Sequence, residues 1–274
     1  MENQAQYIRA PDAWMLSSFV LSIDQFEAAG EQLSQFDPKH PLVVSALGPR
    51  TDGAFAFLDA LEDTVSAIRL FSANNSDLVS VKQLEMPLPL DTTLDVLKEV
   101  RELVGDLKTF WETSPDSAKS TIALLAEHNA GAGQQPLGYK LRTGGITADA
   151  FPTSEQIAKA LVAFSAHPLP IKFTAGLHHP LRQFRDEVKA KMHGFLNVLG
   201  AAVLVAEHRW DEQQTADMLD DEDANAFSFD DQFFAWREWK IDITRLSALR
   251  KLVVSFGSCS FDEPREDLRA LKFL

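Results

Sequence analysis

The chain has 274 residues, 45% of them hydrophobic, a formal net charge of −14 and one cysteine. That length suits one large domain or two small ones, with apolar residues enough for a sizeable core. The acidic balance argues against general binding to nucleic acid or an anionic membrane, both of which need a basic footprint. A single thiol rules out an intrachain disulfide and fits a reducing cytosol.

In chain order, the first segment, MENQAQYIRAPDAWM, lacks the basic and apolar regions of a secretory signal, so a cytoplasmic protein is expected. Residues 12–36 read as helical and would cap one end of the strand-rich region beyond them. Candidate strands are 42–46 (LVVSA), 80–86 (SVKQLEM), 108–113 (KTFWET), 138–143 (GYKLRT), 171–175 (IKFTA) and 252–257 (LVVSFG). Helical spacing marks 54–73, with Phe55, Leu58, Leu61, Val65 and Ile68 on one side. A second helix, 91–103, opens on Asp91 as an N-cap. A third, 154–166, begins at Thr153 or Ser154 with Glu155 in its first turn. HGFLNV (193–198) reads either as a strand or as part of a long helix from Pro180, and NAFSF (225–229) as a weak strand. The longest apolar run, 196–206, is too short to span a bilayer.

Strand–helix alternation at roughly 30-residue spacing predicts a parallel sheet covered by helices. Counting both weak strands gives eight. The expected fold is therefore a TIM-barrel-like (β/α)8 barrel within a single domain 1–274, with an N-terminal helical cap (1–36) and the barrel over 37–274. An open parallel α/β sheet is the alternative.

The side-chain period of two in GYKLRTGG and IKFTAGLHHP puts Tyr139, Leu141, Ile171 and Phe173 on one face and Lys140, Arg142 and Lys172 on the other. Cations on a strand face need a partner or a ligand to offset desolvation. Arg142 suits bidentate recognition of a carboxylate or phosphate; Lys140 and Lys172 suit a point charge or an amine nucleophile. Glu85 and Glu112, near the ends of two other candidate strands, serve as base, metal ligand or counter-charge. Glu112 shares a face with Phe110, so its inward placement is not forced. A structural network of ion pairs remains the plainer reading of these charges.

After the second strand come His178 and His179, and His193 follows with Asn197 four residues on. Acid–base catalysis or substrate contact competes with simple loop packing for all of them. Gly144 and Gly145 end a strand and permit close approach of a ligand, or simply make a turn. In SFGSCSFDEP, Ser258 and Cys259 offer hydroxyl, thiol and backbone N–H groups at a strand end, before a helix that ends near Leu271. Cys259 as a nucleophile would need a neighbouring base. No cofactor is expected. A divalent metal on His178, His193 and Cys259 is a weak alternative, because no short ligand spacing such as HExxH or CxxC occurs. Dinucleotide, P-loop and nucleophile-elbow fingerprints are also missing. The DDED run at 220–223 lacks the spacing of a calcium loop. The aromatic residues Phe227, Phe229, Phe233, Phe234, Trp236 and Trp239 read most simply as packing.

The blocks GYKLRTGG, KFTAGLHHP, MHGFLN and SFGSCSFDEP, which span the chain from Gly138 onward, resemble those of an uncharacterised bacterial protein family. The resemblance implies no particular reaction. The lysine near a strand end is also similar to that of class I aldolase barrels, an analogy of fold that stops at the lysine itself.

These residues together lead to an expected enzyme of lyase, isomerase or aldolase type acting on a small carboxylated or phosphorylated metabolite. Lys172 would be base or Schiff-base lysine, Lys140 and Arg142 would hold the anion, His178 or His179 would be acid–base, and Glu112 would orient the lysines. Glu85, Gly144, Gly145, His193, Asn197, Ser258 and Cys259 would line the substrate. The alternative is a non-catalytic binding or sensor protein for the same anion. A third option, a degenerate barrel that serves as an interaction partner, would consume the charged face in internal ion pairs. No nucleic-acid or membrane partner is expected.

Overall fold

β-rich runs and amphipathic stretches alternate along the chain, and the computed structural model, which describes residues 1–131, 133 and 135–274, converts nearly all of them into elements. The first part runs α1 (Glu2–Tyr7), β1 (Phe19–Ser22), α2 (Phe26–Gly30), β2 (Leu42–Leu47), α3 (Ala54–Asn74), β3 (Val79–Pro87), α4 (Leu94–Val104) and β4 (Lys108–Glu112). It continues with α5 (Ala118–Ala130), β5 (Leu137–Arg142), α6 (Ser154–Ala166), β6 (Ile171–Thr174), β7 (Gln183–Arg185) and β8 (Ala190–Met192). The last part is α7 (Phe195–His208), α8 (Glu212–Asp220), β9 (Phe227–Phe229), β10 (Phe233–Trp236), β11 (Trp239–Asp242), α9 (Ile243–Leu249), β12 (Val253–Phe256) and α10 (Asp262–Ala270).

Seven strands form one sheet in the order β1-β2-β3-β4-β5-β6-β12. The pairs β1–β2, β2–β3, β3–β4, β5–β6 and β6–β12 are parallel. β1 and β12 stand at the two ends, so the sheet is open and the expected eight-stranded barrel over 37–274 is not formed. Two segments explain the difference. Within 193–198, Phe195 onward starts helix α7, with Gly194 as N-cap; its run of Val198 and Ala201 to Val205 is buried all along, so periodicity alone could not tell it from a strand. Residues 227–229 do form a strand, but in a separate antiparallel sheet, β11-β10-β9. The seventh strand of the main sheet, β1, lies inside the 1–36 segment expected to be only a helical cap.

The chain divides into two compact units, residues 1–112 with 128–138, and residues 113–127 with 139–274. In the first, β2, β3 and β4 each put one face against helices. Phe57 of α3 meets Trp111 of β4 edge-on, with centroids 5.5 Å apart, and Phe71 of α3 stacks on Phe26 of α2 at 4.3 Å. Thr93, not Asp91, caps α4, its side chain accepting from Val96 N. Asp91 instead accepts from Ala54 N at the start of α3, at 3.1 Å. Either arrangement satisfies an amide that a helix N-terminus leaves without an internal acceptor.

In the second unit, α6 starts at a capping box made by Thr153 and Gln156. Tyr139 of β5 points toward α5, its hydroxyl 3.2 Å from Thr113 Oγ1, which also meets Thr121 Oγ1 of α5. Phe256 of β12 stacks on Phe195 of α7 at 4.9 Å. The apolar strand residues therefore face helices, as period two requires. Asp220 and Asp221, part of the DDED run, are counter-charges for Arg182 and Arg237. Among the described residues no helix is long and apolar enough to cross a membrane.

Candidate functional site

The charged strand face of the second unit is set by register. Lys140 of β5 pairs with Lys172 of β6, and Lys172 with Ser255 of β12. Registered residues of parallel strands point the same way. This row therefore lies opposite to Tyr139 and Phe256, away from α5 and α7. One step along the strands, Arg142 pairs with Thr174. Both lysines are buried, at 7% and 4% exposure, while Arg142 is exposed and gives its Nε–H to Gly144 O at 3.1 Å. Lys140, Arg142 and Lys172 each have a polar, ring or electrostatic partner within the protein.

The corresponding polar face of the first unit is acidic. Ser45 Oγ donates to Glu85 Oε1 at 2.5 Å, and Gln83 Nε2 donates to Ser45 Oγ at 2.9 Å, all three residues being buried. Glu112 is buried too, with Arg50 Nη2 3.8 Å from its carboxylate. Glu85 pairs in register with Phe110 and Pro87 with Glu112, so both glutamates share the Phe110 face.

At the ends of β5 and β6 the chain is drawn tight. Thr143 N donates to Thr174 O at 2.8 Å, and Thr143 Oγ1 reaches Ala175 O at 2.7 Å. Ala175 and Gly176 both have positive φ, 63° and 74°, a conformation easy for Gly176 and strained for Ala175. A Cβ on Gly144 would lie 2.6 Å from Phe151 Cε1 and 3.0 Å from Gly176 Cα, and one on Gly145 would lie 2.5 Å from Ala150 Cβ. Both glycines are thus required by close packing of the loops around them.

His178 and His179 both reach α10. His178 Nδ1 is 2.9 Å from Glu263 Oε2, and His179 Nδ1 is 2.6 Å from Asp267 Oδ2. Cys259, exposed in the loop after β12, has Sγ 3.7 Å from both ring nitrogens of His178. Ser258 Oγ accepts from Ser260 N at 3.4 Å, and Ser260 Oγ accepts from Asp262 N and Glu263 N at 3.2 Å. These serine hydroxyls therefore shape the turn into α10.

His193 and Asn197 belong to a different cluster. Arg182 Nη1 donates to His193 Nδ1 at 3.0 Å, while His193 Nε2 lies 2.7 Å from Pro152 O. A guanidinium only donates, so Nδ1 accepts and the proton sits on Nε2: the ring is neutral. Burial, opposed by the Pro152 bond and aided by the Arg182 charge, lowers its pKa to about 4. Asn197 is saturated, with Oδ1 accepting from Arg182 N and Nδ2 donating to Met218 O and Asp221 O. Arg182 also pairs with Asp220 at 3.1 Å. This cluster pins the loop that carries the paired histidines.

The structure thus brings Lys140, Lys172 and Arg142 onto one face, and joins His178 to Cys259. His193 is held by Arg182 and Pro152, and no three His, Cys, Asp or Glu residues among those described are grouped to hold a metal ion. The set His178, His193 and Cys259 is accordingly not a ligand site. Sequence reasoning missed Arg182, Glu263 and Asp267. The charged pattern of DEPRED at the start of α10 was the available signal for the last two. A scan against protein-family models gives no match, and a search of curated proteins gives none either.

Proposed function

We propose that this chain is an enzyme acting on a small carboxylated or phosphorylated metabolite, with lyase- or isomerase-type chemistry beside a carbonyl. One observation carries the reading: Lys140 and Lys172 are register neighbours, both buried, on the face turned away from α5 and α7. Burying ammonium groups carries a desolvation cost that counter-charges or a bound anion must offset. A carboxylate or phosphate oxygen suits such a pair of donors as a ligand, and a lysine amine is the group a Schiff base needs. Lys172 is assigned as base or Schiff-base lysine, Lys140 and Arg142 as the anion seat, and His179 or His178 as acid–base group at the same strand end. The acidic net charge favours such a metabolite over nucleic acid and suits a cytoplasmic protein.

The test is incubation of the full chain with small oxo-acids and sugar phosphates plus borohydride. A mass adduct on Lys172, lost in Lys172→Met, is the expected result. Absence of any adduct on either lysine removes the Schiff-base version. A second reading is a non-catalytic binding or sensor protein that holds the same anion on Lys140, Arg142 and Lys172, whose buried row on one face serves binding as well as chemistry. Both readings expect thermal stabilisation by the ligand. They separate at turnover, since a sensor returns its ligand unchanged.

A further inference from the structure

We propose that Cys259, His178 and Glu263 form a thiol–imidazole–carboxylate triad, a nucleophilic site for an activated acyl group such as an ester or thioester. Three separate segments converge to make it. His178 comes from the loop after β6, Cys259 from the loop after β12, and Glu263 from α10. β6 and β12 are register neighbours, so their C-terminal loops emerge side by side.

The order of contacts is that of an oriented base. Glu263 Oε2, 2.9 Å from His178 Nδ1, accepts the Nδ1 proton and leaves the Nε2 lone pair available. Sγ is equidistant from the two ring nitrogens, 3.7 Å from Nδ1 and 3.7 Å from Nε2. Proton transfer requires the exposed thiol to close on Nε2 from that distance. A nucleophile within reach of a base that a third group orients is the general signature of covalent catalysis. Exposure matters as well, because Cys259 is open to an incoming electrophile.

The chemistry balances without any added oxidant or reductant. The thiol proton passes to His178 Nε2, and sulfur attacks the acyl carbon. The new S–C bond forms as the bond from that carbon to the leaving oxygen or sulfur breaks. The leaving group takes the proton from Nε2. Water then hydrolyses the thioester, releasing the carboxylic acid and restoring the thiol. None of this draws on Lys140 or Lys172; His178 is the one residue shared with the proposed function, and acylation of the thiol tests the triad apart from the lysines.

The experiment uses p-nitrophenyl acetate on the full chain. Cys259 is the one cysteine in the sequence, so a hydroxylamine-labile acetyl group located by peptide mass reports on this thiol alone. The expected result is a burst of nitrophenolate with acetylation at Cys259, slowed about 100-fold or more in His178→Gln. Glu263→Gln gives a smaller slowing, and Cys259→Ser abolishes the burst. Wild-type acetylation no faster than that of an unstructured cysteine peptide at the same pH would overturn the proposal, as would an unchanged rate in His178→Gln. Should His178→Gln not fold, Glu263→Gln and the peptide comparison decide, because the Glu263 side chain is 43% exposed and lies outside the buried core.

Discussion

Two histidine regions of the second unit, about 15 residues apart in sequence, have been put to opposite uses. His193 is sealed, neutral and fully bonded, and with Arg182 and Asn197 it fastens a loop. His178, in the loop so fastened, meets both a carboxylate and a thiol. The same imidazole is structural where every lone pair and proton is consumed by fixed groups, and chemically available where its partners are exposed. Burial alone does not separate them: His179 is buried too, yet its partner Asp267 sits on the same helix as Glu263. What separates them is whether the partners are backbone carbonyls and a guanidinium or titratable carboxylates.

The contrast breaks most severely at Asn197. Asn197→Leu would remove the partner of the buried Asp221 O and of Arg182 N and leave Met218 O only its long bond from Asp221 N, and the expected loss is about 3 kcal/mol by chemical denaturation. A second blow to the same cluster is Gly194→Ala. Its Cβ would lie 2.3 Å from Asn197 Oδ1 and 2.4 Å from the Leu181 backbone, for an expected loss of about 3 kcal/mol. A protein that tolerated both would show that the anchor is dispensable.

The pH dependence sharpens the comparison. The His193 pKa is lowered to about 4 by burial, whereas an unfolded chain protonates it near 6.5. The unfolded state therefore binds more protons between these values. Its contribution to stability is complete above pH 6.5, declines as pH falls through that value, and levels off near pH 4. The window is worth roughly 3 kcal/mol. Denaturation midpoints at pH 7 and 4.5 should show that slope, and His193→Gln should flatten it while lowering stability at pH 7. The smallest expected effect is at the half-buried pair of His178 and Glu263: Glu263→Gln should change stability by about 1 kcal/mol, leaving its mark on thiol reactivity instead.

Much of this was legible from residue order. The alternation of GYKLRT and IKFT told which side chains share a face, because the strand period is rigid and local. Helix α6 was readable to the residue from Thr153 and its amphipathic spacing. Strand β1 was not, because FVLS is four residues long and sits between helical stretches, and its strand character comes from pairing with β2. The open sheet, the alternative to a barrel, is the one that forms, and residue order could not choose it for a related reason: the apolar run of α7 and the short FSF strand carry no local mark of which sheet they serve. In the candidate site, the lysines and paired histidines stood out by their position at strand ends. Glu263 and Asp267 did not, since each lies more than 80 residues from the imidazole it meets, and nothing in sequence measures that distance.

The double attachment of Thr143, through its amide to Thr174 O and its hydroxyl to Ala175 O, has a mechanical consequence. The loops leaving β5 and β6 are riveted at their roots, so neither can swing outward alone. Any opening that admits a ligand above Arg142 has to displace the histidine loop in concert, and the Thr143 amide should exchange with deuterium only when both let go.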